Sequence, residues 1–198
     1  VRFRRPDEPG ARSAAPLWVP FGYVSAVQID PIEKKPLHHV LPGTPTLTYG
    51  MSGCDLHCGY CQNWITSQAL RDPAAGVRPH ETSPAELVQI ALDSGARSVW
   101  ASFNEPLITA EWHHAIFCVA KQAGLRTGLV TNGRATPEVL AYLRPVVDAF
   151  QVDLKAFDDR GYRQLGGRLA DVTDALANLL AEPTARAATE VARGAGPA

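Results

Sequence analysis

The order of segments along this chain predicts an α/β fold, with parallel strands joined by crossover helices. Two observations carry that expectation. Short strand-like runs alternate with longer stretches of helical periodicity, and the helical stretches open on capping signals or close on glycine. The polar residues best suited to chemistry cluster just after the strand-like runs, at the edge where the loops of a parallel α/β fold converge around an open cavity.

Residues 1 to 20 contain four prolines and little periodicity, and read as a linker or the remnant of an upstream segment. From Gly22 to Gln28, Tyr23, Val24, Ala26 and Val27 predict a short strand, and prolines at 31, 36, 42 and 45 punctuate the connection that follows. Within it, Glu33, Lys34 and Lys35 read by composition as a solvated turn. Thr46-Leu-Thr-Tyr-Gly50 has the alternation of a strand, after which Gly50 and Gly53 turn the chain into a cysteine-bearing loop. Cys61-Gln-Asn-Trp64 continues toward a helix or ordered loop, where Trp64 is either a packing residue or a shield for the neighbouring sulfurs.

Ser83-Pro-Ala-Glu86 spells a helix start: a capping serine, proline in the first turn and the glutamate of a capping box. Gly95 supplies the stop, and Leu87, Ile90 and Ala91 mark the face expected to cover a sheet. A strand over residues 98 to 103 follows, then a helix near 108 to 123 ended by Gly124, a strand over 126 to 130, a helix opened by Thr136-Pro137 and a strand over 149 to 154. Alternation on that last strand sets Phe150, Val152 and Leu154 on one face and Gln151, Asp153 and Lys155 on the other. After residue 168, Leu176, Leu179 and Leu180 suggest one more helix, and residues 181–198 read as a low-complexity tail. The core is therefore expected over 21–180.

A chain of 198 residues with 45% hydrophobic content can bury a single core. Nineteen basic residues against 20 acidic ones leave a formal charge of -1, which implies no general attraction to nucleic acid or membrane. No apolar run reaches membrane-spanning length and no signal-peptide core is evident, so a cytoplasmic location is expected. Three of the four cysteines crowd into eight residues, which argues for metal ligation over disulfides.

Those three are Cys54, Cys58 and Cys61, spaced by four and three residues. Soft thiolates favour an iron-sulfur cluster or zinc, and with no fourth cysteine nearby one iron of a cubic cluster would stay open to substrate or cofactor. His57 lies inside the triplet and could tune a cluster. Cys118 and the His113-His114 pair belong to a separate helical pattern, where adjacent side chains diverge by about 100°, and both read as structural.

With Tyr60 before the last cysteine, this C-x3-C-x2-C spacing resembles the signature of radical S-adenosylmethionine (SAM) enzymes. Asp30-Pro-Ile-Glu-Lys-Lys-Pro36, Cys61-Gln-Asn-Trp64, Asn104-Glu-Pro106, Thr131-Asn-Gly133 and Asp153-Leu-Lys155 fall in the order seen in relatives of pyruvate formate-lyase activating enzyme. The narrower resemblance is to the radical SAM proteins of the AmmeMemoRadiSam system, over roughly positions 22 to 168. It implies a partial (β/α)6 radical SAM barrel, truncated at its C-terminal side, with about four strands present before residue 156. It implies a [4Fe-4S] cluster on Cys54, Cys58 and Cys61, and SAM held by Tyr60, Asn104, Glu105, Thr131, Asn132, Asp153 and Lys155. In that carry-over Glu105 faces the cofactor's ammonium, Asp153 and Lys155 orient the cofactor, Gln151 has a weaker claim, and the 30–36 segment supports the cofactor mouth. A flavodoxin- or ferredoxin-like reductant is implied too, and a protein is one candidate substrate. Three alternatives stand beside this: a non-catalytic truncated family member, an electron-transfer iron-sulfur protein, and a zinc module using His57 or His39 as the added ligand.

Overall fold

The computed structural model describes residues 19–75 and 77–181. The expected linker over 1–20 and tail over 181–198 lie almost wholly outside the described residues. Five strands form the main sheet: β2 (Ala26–Pro31), β3 (Pro45–Gly50), β5 (Ser98–Ala101), β6 (Arg126–Thr131) and β7 (Ala149–Val152), in that spatial order. Two further short strands, β1 (Tyr23–Val24) and β4 (His80–Glu81), pair antiparallel as a separate ribbon.

From β3 to β7 every pairing is parallel, giving the four strands that the sequence led us to expect. The single strand anticipated over 22–28 is instead split, and its second part runs antiparallel to β3. The physical reason is the connection. Only a 3-10 turn (Ile32–Lys34) and a loop lie between β2 and β3, with no helix of the kind that usually carries a parallel crossover.

The capping box before helix α2 (Pro84–Asp93) is complete: Glu86 N donates to Ser83 Oγ at 3.2 Å, and Ser83 N donates to Glu86 Oε2 at 2.6 Å. This helix buries Leu87, Val88 and Ala91, so its apolar stripe is turned from the expected one and Ile90 is exposed. Helices α3 (Ala110–Gln122), α4 (Pro137–Leu143) and α6 (Leu169–Ala181) join it in one core with Leu47, Tyr49, Val99, Leu129 and Phe150. Alternation sends the intervening residues to the opposite face, where Trp100 and Ala149 pack against Ile32 and Leu37 of the β2–β3 connection.

Two strands end sooner than expected. The β5 strand stops at Ala101, and Phe103 then takes a positive φ of 69°. The β7 strand stops at Val152 because its partner β6 ends at Thr131, the residue opposite it. Beyond the ladder, alternation no longer dictates direction, and Leu154 points to solvent instead of joining Phe150.

Two buried details yield tests. Trp100 lies over Gly128 of the neighbouring strand, and a Cβ there would collide with the indole. Gly128→Ala should therefore destabilise the fold by about 2 kcal/mol, read as a lower urea midpoint.

His113 is fully buried on α3 and hydrogen-bonded at both ring nitrogens, to Tyr49 Oη at 2.8 Å and Thr109 Oγ1 at 3.0 Å. Burial pushes its pKa down to about 3 from 6.5, so the folded state resists a proton that the unfolded chain accepts. Its contribution is complete above pH 6.5 and is lost as pH falls toward 3. Guanidinium titrations should show this group costing about 2 kcal/mol of stability between pH 7 and pH 5, with His113→Gln flattening the slope.

Candidate active site

The cysteine loop leaves the C-terminal end of β3 under close restraint. A side chain at Gly50 would strike the Ser102 carbonyl, so only glycine lets these two strand ends approach. Met51 N donates to Asn104 Oδ1 at 3.0 Å, Glu105 N donates to Gly53 O at 3.2 Å, and Gly53 itself sits at φ 105°. Helix α1 (Trp64–Ser67) closes the loop from the other side, with Gly53 N donating to Thr66 O at 2.9 Å.

Cys54, Cys58 and Cys61 all line one cavity of about 290 Å³, together with residues from the loops after β5, β6 and β7. Each is a free, partly exposed thiol. The three share the cavity without closing on a common point, and among the described residues no group of three His, Cys, Asp or Glu side chains is gathered at metal-binding geometry. Burial pushes Cys54 up to about 12, and burial also raises Cys58 against the pull of Lys155. At neutral pH these groups hold their protons until a metal's charge displaces them.

Every cofactor-binding residue expected from the sequence reaches this cavity: Tyr60, Asn104, Glu105, Thr131, Asn132, Asp153 and Lys155. Several also brace the loops. Glu105 is 3% exposed and accepts from Leu107 N at 2.9 Å, Thr131 Oγ1 at 2.7 Å and Asn132 N at 2.8 Å. Three of a carboxylate's roughly four acceptor sites are thus filled from the protein. Burial outweighs these donors and raises its pKa to about 7. Tyr60 Oη donates to the Lys155 carbonyl at 2.7 Å, joining the cysteine loop to the loop after β7. Lys155 Nζ pairs with Asp153 Oδ2 at 2.9 Å. Burial alone would lower that lysine, but the hydrogen bond and charge of Asp153 prevail and raise it. Gln151 lies outside the cavity lining.

Sequence reasoning missed the clamp on the cysteine loop. Asp55 accepts from Asn132 Nδ2 at 2.7 Å and pairs with Arg134 Nη1 at 2.8 Å, and Arg134 turns its other edge to Asp171 at 3.4 Å. Opposite, His57 N donates to Leu165 O at 3.0 Å while the imidazole packs on Gly166, where a Cβ would collide with it. Gly166 follows helix α5 (Asp159–Gln164) at φ 86°, so its lack of a side chain serves both the turn and the docking of the loop. Charge flanking the first cysteine was the available signal for Asp55, but its partners are more than 70 positions away.

Other expectations resolve plainly. His39 belongs to a separate cavity with Arg126, Asp148 and Ala149, at the opposite ends of the strands, which rules it out as a ligand beside the cysteines. Trp64 is 39% exposed and outside the cavity lining, so it neither packs in the core nor screens the thiols. His114 stacks on Tyr142, and Cys118 is half-buried with its sulfur 3.6 Å from His114 Nδ1, in keeping with structural roles for both.

A mostly parallel α/β sheet here carries three thiols on the loop after its first parallel strand, a donor set that suits iron-sulfur or zinc. Residues 48–182 match the Radical SAM superfamily, and the chain belongs to that family. It is 33% identical over 141 residues to the uncharacterized protein MJ0808 of Methanocaldococcus jannaschii, covering 71% of this chain and 41% of that protein. It is 30% identical over 130 residues to pyruvate formate-lyase 1-activating enzyme of Escherichia coli K12, covering 64% of this chain and 51% of that enzyme. The chain thus spans about half the length of the curated relatives it matches. Among solved structures, QueE from Escherichia coli aligns with a TM-score of 0.46 and 17% identity, over 83% of this chain and 79% of that one. TYW1 with a lysine-pyruvate adduct bound aligns with a TM-score of 0.44 and 14% identity, over 77% and 60%. Among the described residues no helix is long and apolar enough to cross a membrane.

The Asp55 clamp can be tested without a cofactor. Asp55→Ala removes the partner of Asn132 and Arg134, and should speed iodoacetamide alkylation of Cys54 about tenfold through easier local opening. Peptide mass spectrometry would follow the rate, with Cys118 as the internal site that should not change.

Proposed function

We propose that this chain is a SAM-cleaving radical enzyme whose cluster ligands are Cys54, Cys58 and Cys61. The observation that carries this is the shared cavity: three thiols on one side and the polar loops after β5, β6 and β7 on the other. The donor set fits a [4Fe-4S] cluster with one open iron, because the fourth cysteine lies on α3 and packs toward the helix-side core. Bound there, the cluster supplies the electron that cleaves SAM to methionine and a 5'-deoxyadenosyl radical able to take hydrogen from a substrate.

The chain's own residues hold and shield. Glu105 and Asn104 fix the loop after β5, and Thr131 and Asn132 present hydroxyl and amide groups at the cavity wall. The Asp153–Lys155 pair places both signs of charge at the rim, suited to a ligand with ammonium and carboxylate ends. Tyr60 ties that rim to the cysteine loop, so ligand contact and cluster position are mechanically linked. The reading extends to a flavodoxin- or ferredoxin-like reductant, a cytoplasmic setting, and a substrate that includes proteins as candidates. The narrower likeness to AmmeMemoRadiSam proteins stands within this proposal, as does activity of a chain that spans about half the length of the relatives it matches.

Anaerobic reconstitution with iron and sulfide tests the assignment. Alanine at Cys54, Cys58 or Cys61 should abolish a reducible cluster while Cys118→Ala retains it, by iron content and electron paramagnetic resonance. Stoichiometric zinc without a reducible cluster would overturn the reading. At equal iron loading, Asp153→Ala should weaken the SAM-dependent spectral change and SAM cleavage about tenfold, with cluster content unaltered.

A further inference from the structure

Lys35 departs from the solvated turn that its composition suggests. Lys34 is exposed and pairs with Asp30 at 2.6 Å, yet Lys35 beside it is only 6% exposed. Among the described residues its ammonium makes no hydrogen bond, and it rests 5.1 Å from the centre of the Phe103 ring. Asp30, the carboxylate that acts on it through space, is already engaged by Lys34. An ammonium has three donors, and an aromatic face satisfies none of them, which leaves them open to a ligand or to solvent.

Phe103 connects this residue to the cavity. Its side belongs to the cavity wall next to Ser102 and Asn104, and its φ of 69° is one that bulky residues rarely adopt. Fixed neighbours hold it so: Ser102 N donates to Tyr49 O at 2.8 Å, and Thr66 Oγ1 donates to Phe103 O at 2.8 Å. Lys155 is the one cation lining this cavity among the described residues, and Asp153 already neutralises it. Arg71 reaches the lining residues Leu56 and Gln68 from the solvent side, whereas the positive charge behind the Phe103 ring is buried and makes no hydrogen bond among the described residues.

We propose that Lys35 is an anion-binding residue of the substrate site, reached when the Phe103 ring turns aside, so that the enzyme takes a substrate carrying a carboxylate or phosphate group. This rests on the radical SAM reading for the cavity being a substrate site. A lysine is a compact point charge that accepts either anion, so the two are separated by experiment.

The test uses the reconstituted full chain titrated with succinate, inorganic phosphate and neutral succinamide. Binding is followed in the wild type by the 13Cε resonance of Lys35 and in all forms by calorimetry. Succinate or phosphate should move the Lys35 resonance while succinamide does not, and the tighter of the two identifies the group. Lys35→Met should weaken anion binding about tenfold or more, and Phe103→Leu should strengthen it. An unmoved Lys35 resonance with both anions, or undiminished affinity in Lys35→Met, overturns the proposal; the wild-type resonance decides even if a variant folds poorly. The SAM-dependent cluster spectrum is recorded on the same wild-type samples. Its absence from the wild type would count against the radical SAM reading and leave the anion result to stand by itself.

Discussion

Glu105 is almost wholly buried at the cavity wall, and its two carboxylate oxygens are satisfied by groups from two different loops: Leu107 N just after β5, and Thr131 and Asn132 at the end of β6. A buried carboxylate must find donors or lose its charge, so this one draws the two strand ends together and sets the spacing of the loops above them. From there the network continues outward. Asn132 donates to Asp55, Asp55 pairs with Arg134, and Arg134 reaches Asp171 on α6. The cysteine loop is thereby tied to the third parallel strand and to the last described helix.

The sheet's two ends consequently have different characters. At the start of the parallel strands, the face opposite the helices is filled by Trp100, Ile32 and Leu37, with Gly128 making room for the indole. At their other end, strands stop early and polar side chains turn into an open cavity. Local rigidity at this end comes from hydrogen bonds in partly wet surroundings, whereas rigidity below comes from packing. Charge and geometry at the candidate site are thus adjustable without disturbing the core.

Much of this arrangement was legible beforehand. The Ser83–Glu86 box, the glycine stops at Gly95 and Gly124 and the Thr136-Pro137 start are local devices, and each forms as read. The C-x3-C-x2-C spacing and the polar triplets after the strands located the candidate site because strand ends in a parallel sheet share one edge. Errors arose where a neighbour overrode local pattern. Leu154 lost its expected face when β6 ran out of partners for β7, and Ile90 yielded its place to Val88 because the helix's rotation is set by what it packs against. Lys35 reads as surface by charge, and only the fold of the β2–β3 connection shows it buried beside an aromatic ring.

By itself, the sequence determined strands β3, β5, β6 and β7 and helices α2, α3, α4 and α6, the parallel sense of those strands and the three thiols on one short loop. These follow from periodicity, capping and spacing, all of which act within a few residues. The tertiary structure alone decided that β2 returns antiparallel, that Asp55 meets Arg134, that His57 leans on Gly166 and that Glu105 spends its charge on loop architecture as well as facing the cavity. Those pairings join residues far apart in the chain. Their partners are chosen by desolvation and close packing after the sheet has formed, and no local pattern encodes that choice.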